Sequence, residues 1–250
     1  MSLKEETISK ATLTRKTVIA FVCFFLFVFA GVFSWKWLHR QPEQAGALKP
    51  LRKVLNFNEK LFSGFVSDQH LTKTFSPASA APRVRVNGDA GLSGSVDTAN
   101  YKLQVVRKPG DTLSISMEEI KALPKTELVF DFKCIEGWSQ VTHWGGVSFR
   151  EFAKKYNLDW QVHQKYTGLQ TPDNGYYVGI DNKSMLHPQT MLCYEMNGKP
   201  LPLNQGFPLR LIIPVKYGIK HLKRIGTIFF SDSKPRDYWY ERGYDYFSGL

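Results

Sequence analysis

Hydrophobic positions fall into two regimes along the chain. Residues 17–35 form an unbroken apolar run, rich in Phe, Val and Leu and without a charged side chain. Such a run approaches the ~20 residues that a helix needs to cross the hydrocarbon core of a bilayer. It is apolar on every face, which a helix lying on a protein surface is not. Beyond it the apolar residues come in short segments. Leu51, Val54, Leu55, Leu61, Phe62 and Phe65 recur at helical spacing after Pro50, predicting an amphipathic helix with Asn58 inside its buried stripe. Strand-like runs follow at 101–107, 128–133, 165–171, 176–180, 191–196, 209–215 and 224–231. Capping boxes at Ser116–Glu119 and Ser148–Glu151 open short helices, one stopping at Pro124 and the other near Tyr156. Asn197-Gly198 is a tight-turn signal, and residues 72–100, rich in Ser, Pro, Ala and Gly, read as loop. Strands interleaved with a few short helices predict an α+β fold.

This pattern divides the chain into a short tail (1–16), a transmembrane anchor (17–38), a polar, proline-bearing tether (39–50) and one domain (51–250). A cleaved signal peptide is the rival reading of the apolar run. Signal peptides end at small residues, whereas this run ends in Trp35-Lys36-Trp37, side chains suited to a membrane interface. Basic residues flank the run on both sides, Lys4, Lys10, Arg15 and Lys16 before it and Lys36, Arg40, Lys49, Arg52 and Lys53 after it. Their count leaves the orientation open. Thr14-Arg15-Lys16-Thr17-Val18 resembles a twin-arginine export signal with its second arginine replaced.

Composition changes the picture in one respect. The formal net charge is +11, spread along the sequence rather than gathered in a block. Zinc-finger spacing, an RNP-like aromatic motif and a basic helix are all lacking, so nucleic acid is not the expected partner. An anionic substrate, an anionic cofactor or an anionic membrane surface accounts for the charge. Common catalytic signatures are also missing. Gly91-Leu-Ser-Gly-Ser95 has the wrong spacing for a nucleophile elbow, and no dinucleotide fingerprint, phosphate loop or His-x-x-x-His pair occurs. Of three cysteines, Cys23 lies in the apolar run. Cys134 and Cys193 lie in the domain, where on the residues alone a disulfide between them stays open.

The informative segment is Asp131-Phe132-Lys133-Cys134-Ile135-Glu136-Gly137-Trp138, a cysteine at the end of a strand opening a Glu-Gly-Trp turn. Downstream come Asn197-Gly198-Lys199-Pro200-Leu201-Pro202, Gly206-Phe207-Pro208-Leu209-Arg210 and Tyr217-Gly218-Ile219-Lys220-His221-Leu222-Lys223. In this order they resemble the molybdopterin domain of the sulfite oxidase family, which includes bacterial periplasmic methionine-sulfoxide reductases. The resemblance spans residues 100–250 and is strongest from Leu128 to Phe230. It implies a single mixed-sheet molybdopterin-binding domain with Cys134 as the protein's one molybdenum ligand. A soft thiolate suits such a metal and leaves positions open. By the same resemblance, Thr171, Gln205 and Arg210 contact the cofactor, and His221, Leu222 and Lys223 meet the pterin phosphate. Asn58 and Glu59, within Asn56-Phe57-Asn58-Glu59, match a segment that reaches that phosphate from the N-terminal side. Gln205 stands where the family has His or Asn; its amide keeps a donor and an acceptor. Tyr176 aligns with an active-site tyrosine, with Tyr177 its near rival, and Glu136 and Trp138 flank the metal ligand. An arginine fork and a lysine charge are the donors a phosphate needs.

The expectation is therefore a membrane-anchored molybdenum–molybdopterin oxidoreductase, transferring an oxygen atom to or from a small sulfur-containing substrate. It carries no haem domain, so a membrane cytochrome or other redox partner is expected to exchange electrons with it. Its expected place is the bacterial inner membrane, single-pass, with the catalytic domain on the periplasmic side. The alternative is a metal-free, membrane-tethered binding module that keeps the fold.

Overall fold

The structure is a computed structural model that describes residues 9–86, 88–93 and 97–250. It opens with helix α1 (Lys10–His39), capped by the Ser9 hydroxyl, which accepts from the Thr12 N–H. None of α1 is buried, and by length and composition it is able to cross a membrane. A small hairpin, β1 (Glu43–Gln44) and β2 (Ala47–Leu48), leads into α2 (Lys49–Phe62), which has Pro50 in its first turn. The domain continues through β3 (Lys102–Lys108), β4 (Asp111–Ser116), α3 (Met117–Lys121), β5 (Lys125–Lys133), β6 (Ser139–Ser148) and α4 (Phe149–Lys155). Then follow α5 (Asp159–Val162), β7 (Tyr166–Gln170), β8 (Tyr177–Asp181), α6 (Asn182–Met185), β9 (Met191–Met196), β10 (Lys199–Pro200), β11 (Arg210–Ile212) and β12 (Thr227–Ser231).

These strands form two five-stranded sheets. One runs β10-β9-β6-β5, with β11 also paired to β9; the other runs β4-β3-β12-β7-β8. All pairings are antiparallel except β3 with β12, which makes the second sheet mixed, so the α+β, mixed-sheet expectation holds. Leu103, Val105, Leu169 and Ile228 of one sheet share a core with Val147, Leu192 and Leu211 of the other, and Phe149 and Phe152 of α4 join it. Burying residues of this kind is the main favourable term in folding, at about 25 cal/mol per Å² of apolar area.

Sequence and structure diverge at three places. Strand β6 escapes the periodicity because its register against β9 shifts between Gly145 and Gly146. A side chain at Gly146 would run into the Leu192 carbonyl, at 2.1 Å, so glycine allows the two strands to approach. The second capping box is not made, since Ser148 forms no side-chain cap, whereas Ser116 and Glu119 cap α3 reciprocally. The third divergence is α2. Its stripe was expected against the core, yet Leu51, Val54, Leu61, Phe62 and Phe65 are all exposed. The side facing the domain carries Arg52 and Glu59 instead, the latter bonded to Lys234 at 2.5 Å.

Arg52 is fully buried and decides how the N-terminal elements dock. Its guanidinium donates to the carbonyls of Gln44 and Ala45 in the hairpin and of Tyr240 and Tyr244 near the C-terminus, at 2.6–3.3 Å. It also lies 4.1 Å over the Tyr240 ring. Gly46, at φ 72°, touches Gly243, where any side chain would collide with backbone. The segment read as a tether is thus held to the domain. Arg52→Ala leaves four carbonyls without their donor and is expected to lower stability by about 3 kcal/mol. Lys53→Ala next to it should change stability by less than about 0.5 kcal/mol. Thermal melting of the two variants beside the wild type checks this.

Candidate active site

The ends of several elements converge on a cavity of about 240 Å³. Strand β5 delivers Phe132 and then Cys134, whose N–H donates to the Trp138 carbonyl at 2.9 Å and whose carbonyl accepts from the Gly137 N–H at 3.1 Å. This turn sets Ile135, Glu136 and Trp138 on the cavity wall, while Cys134 itself is buried and is not among the lining residues. The indole of Trp138 donates to Glu136 at 3.1 Å. Burial pushes the Cys134 thiol above its usual range, while the backbone at Glu136 and the Arg85 charge favour the thiolate. No disulfide joins it to Cys193, which is enclosed in β9 with its thiol pushed up by burial.

The opposite wall is basic. Arg210 on β11 is buried, lies 4.5 Å over the Trp144 ring, and donates through Nη1 to the Gln205 backbone and side-chain oxygens at 3.1 and 2.9 Å. Its Nε is buried without a hydrogen-bond partner. Among the described residues no carboxylate pairs with it, and burial lowers its pKa to about 10. Lys223 reaches the Gly88 carbonyl at 2.7 Å; burial and the Arg210 charge lower it to about 8, against the pull of Asp89. Arg85 lies 4.7 Å over the Trp138 ring. The Gln205 amide also donates to the carbonyls of Val84 and Arg85, at 3.4 and 3.3 Å, tying these two residues to this wall.

His221 lines the cavity as a neutral imidazole. Burial, with Arg210 adding to it, lowers its pKa to about 3. Its partners assign the tautomer: Nδ1 accepts from the Ile213 N–H and Nε2 faces the Lys216 carbonyl at 3.1 Å, so the proton sits on Nε2. Tyr176 also lines the cavity and donates its hydroxyl to the Ile219 carbonyl at 2.5 Å. Burial holds that phenol protonated. Tyr177, the rival position, bonds Glu241 and Arg236 and does not line the cavity.

Of the positions singled out in the sequence, Gln205, Arg210, His221, Lys223 and Tyr176 come together here, beside the Cys134 turn. Others do not. The Thr171 hydroxyl is engaged within its own hairpin, donating to Asp173 at 2.6 Å and accepting from the Tyr176 N–H at 3.0 Å. Leu222 is a core residue. Asn58 and Glu59 lie on α2, and Glu59 borders a separate cavity of about 490 Å³ whose buried Lys216 is paired with Asp181 at 2.7 Å. The N-terminal contribution to the site comes from Val84, Arg85, Gly88 and Ala90, within a stretch whose composition says only loop. Trp144, Trp239 and Tyr244 also line the cavity, and the sequence assigns none of them a site role. The last two are held by the C-terminal segment, which Asp237 fastens to buried Lys220 at 2.5 Å and to the Gly179 N–H at 3.1 Å.

Residues 90–239 match the family model described as the oxidoreductase molybdopterin binding domain. The chain belongs to this family. Similar family members include a putative protein-methionine-sulfoxide reductase subunit YedZ1 of Azospira oryzae, 38% identical over 154 residues, which cover 62% of this chain and 58% of the relative. The protein-methionine-sulfoxide reductase catalytic subunit MsrP of Campylobacter jejuni is 33% identical over 164 residues, 59% of this chain and 54% of that protein. Mitochondrial sulfite oxidase of Mus musculus is 26% identical over 181 residues, 62% of this chain and 33% of the enzyme. The chain thus spans between a third and about three fifths of these relatives' lengths. Among solved structures, the sulfane dehydrogenase SoxCD of Paracoccus pantotrophus shares the fold, with a TM-score of 0.50 at 16% identity, covering 70% of this chain and 53% of that one.

The cavity's chemistry fits the family's cofactor. A buried guanidinium lacking an acidic partner, with one N–H unsatisfied, calls for an anionic ligand. Lys223 and Arg85 extend the positive lining, and the Cys134 turn borders the same cavity through Ile135, Glu136 and Trp138.

The His221 titration has a measurable consequence. Its pKa in the fold lies near 3 against an ordinary value of 6.5, so the unfolded chain binds the proton first. Stability present above pH 6.5 is therefore lost as pH falls toward 3, by up to ~1.4 kcal/mol per pH unit. His221→Gln removes this component, and its melting temperature should fall less steeply than the wild type's between pH 6.5 and 4.

Proposed function

We propose that this chain is the molybdenum–molybdopterin catalytic domain of a membrane-anchored oxidoreductase that transfers an oxygen atom to or from a small sulfur-containing substrate, sulfoxide reduction being favoured. One observation carries the reading: a buried arginine with an unsatisfied Nε faces the same cavity that the Cys134 turn borders. Identity to the methionine-sulfoxide reductase relatives, at 33–38%, exceeds that to sulfite oxidase at 26%, and supports the sulfoxide direction.

Cys134 would hold the metal through its sulfur, and Arg210 and Lys223 would hold the cofactor's anionic groups. When bound, the molybdenum–dithiolene group supplies two-electron oxygen-atom chemistry, which the protein itself cannot. The residues then have distinct tasks. Gln205 fixes Arg210 so that little rotamer freedom is lost on binding an anion. His221 stays neutral and pins the loop between Ile213 and the Gly218–Lys220 turn, keeping Lys223 in place. Tyr176 has committed its proton to the Ile219 carbonyl, so donation to a substrate oxygen requires exchange of that bond. Phe132, Trp138, Trp144 and Trp239 exclude water, which strengthens each polar contact inside. An apolar aromatic wall also suits a thioether or methyl sulfoxide group.

α1 would anchor the domain in the bacterial inner membrane with its catalytic side in the periplasm, beside a membrane cytochrome or other electron carrier. Sulfite-type oxidation is kept as a second direction by Arg85 on the cavity wall, an anion-binding group.

Metal analysis of protein from a cofactor-competent host tests the assignment. The expected result is about one molybdenum per wild-type chain, and loss of most of it in Cys134→Ser, which keeps the size but not the soft ligand. Wild-type protein without molybdenum or pterin would instead identify a tethered binding module. On loaded protein, a dye-linked assay should show methionine-sulfoxide reduction exceeding sulfite oxidation. Tyr176→Phe should lower kcat/KM by about tenfold, the worth of one hydrogen bond made in the transition state.

A further inference from the structure

The apolar face of α2, continued by Phe65 in the short helical turn that follows it, has no partner among the described residues. Val54, Phe57, Leu61 and Phe65 follow one another at three- and four-residue steps and are 56%, 65%, 48% and 63% exposed. Phe62, against Phe65 with ring centroids 6.4 Å apart, widens the face. Lys49, Lys53 and Lys60 lie exposed away from it. The helix's carboxylate, Glu59, is turned to the domain and neutralised by Lys234. A helix with aromatic and aliphatic residues on one side, lysines on another and no free acid has the composition of one that lies in a lipid headgroup layer.

Its position relative to α1 selects the occupant. α1 ends at His39, and the Lys49 N–H that opens α2 donates to the Pro42 carbonyl at 2.9 Å. The foot of one helix thus lies within a few residues of the start of the other. Trp35 and Trp37, both exposed, mark the end of α1 at the depth where interfacial aromatics reside. Arg52 locks the hairpin and the C-terminal segment together and leaves the apolar side of α2 outward.

We propose that α2 is a second membrane-contacting element, lying in the plane of the bilayer surface with Val54, Phe57, Leu61, Phe62 and Phe65 in the acyl–headgroup boundary and its lysines against anionic lipid headgroups. This rests on the reading of α1 as a membrane anchor. The domain is then seated on the bilayer at two points, and its orientation to the surface is set by the angle between α1 and α2.

The test uses the full chain in nanodiscs containing anionic lipid, with Cys23→Ser as background and a fluorescent label at one introduced cysteine. Phe57→Cys and Leu61→Cys report the apolar face, Lys53→Cys and Lys60→Cys the polar side, and Phe29→Cys reports α1. All five positions are exposed, so the label fits without disturbing the core. Bromine placed high on the lipid chains should quench labels at 57 and 61 about threefold or more above those at 53 and 60, and deep bromine should quench the label at 29. Labels at 57 and 61 as open to aqueous iodide as those at 53 and 60 would overturn the proposal. Labels shielded from both quenchers would also overturn it, by showing a protein surface there. An α1 label untouched by bromine would sink the anchor reading itself, which separates the two failures.

Discussion

A guanidinium taken out of water, with no carboxylate beside it among the described residues, is the constraint around which the domain is built. Arg210 sits on the short strand β11 with its charge stripped of solvent and one N–H unanswered. Burying an uncompensated charge opposes folding by several kcal/mol unless other groups share the load. Here the Trp144 face and the two Gln205 oxygens share part of it. The remainder is what a bound anion would relieve, and binding there adds to the stability of the fold by mass action. Lys223 and His221 titrate low in the same surroundings, from the same cause.

The two sheets bring that charge to the Cys134 turn from distant parts of the sequence. β9 is the hinge of the arrangement: β11, which bears Arg210, pairs with it on one edge, and β6, the partner of the Cys134-bearing β5, pairs on the other. The cavity is closed by a segment with little regular structure. A buried ion pair, Lys220 with Asp237, each 1% exposed, holds that segment against β8, and Trp239 follows directly into the cavity wall. Replacing both members of such a pair with apolar residues is often tolerated, whereas removing one strands a charge.

Much of this was legible because local chemistry dictated it. β9 was read at its observed bounds, and Asn197 and Gly198, both at positive φ, make the turn their side chains announce. Cys134 was recognisable as a strand-end residue because the Leu128–Phe132 stretch is buried behind it. The misses have physical causes. β6 carries a double glycine and polar residues, so its pairing is fixed by the approach to β9 rather than by periodicity. Arg85, Trp239 and Tyr244 belong to segments whose place is set by tertiary hydrogen bonds, which leave no periodic trace. The expectation for Asn58 and Glu59 rests on a short resemblance, and on the helix that bears them Glu59 borders a different cavity. Amphipathicity located α2 but could not say which medium covers its apolar side.

The clamp formed by Arg52 has a mechanical corollary. A catalytic head on a slack leash would sweep a hemisphere above its attachment point and present every orientation in turn. One side chain joins the root of the leash to the domain, with two hydrogen bonds to Gln44 and Ala45 and two to the backbone at Tyr240 and Tyr244, the latter itself part of the cavity rim. Were α1 to lie in a bilayer, as proposed, the rim would keep a constant height and heading, and a neighbour in the same membrane would search in two dimensions for a mouth that always points the same way.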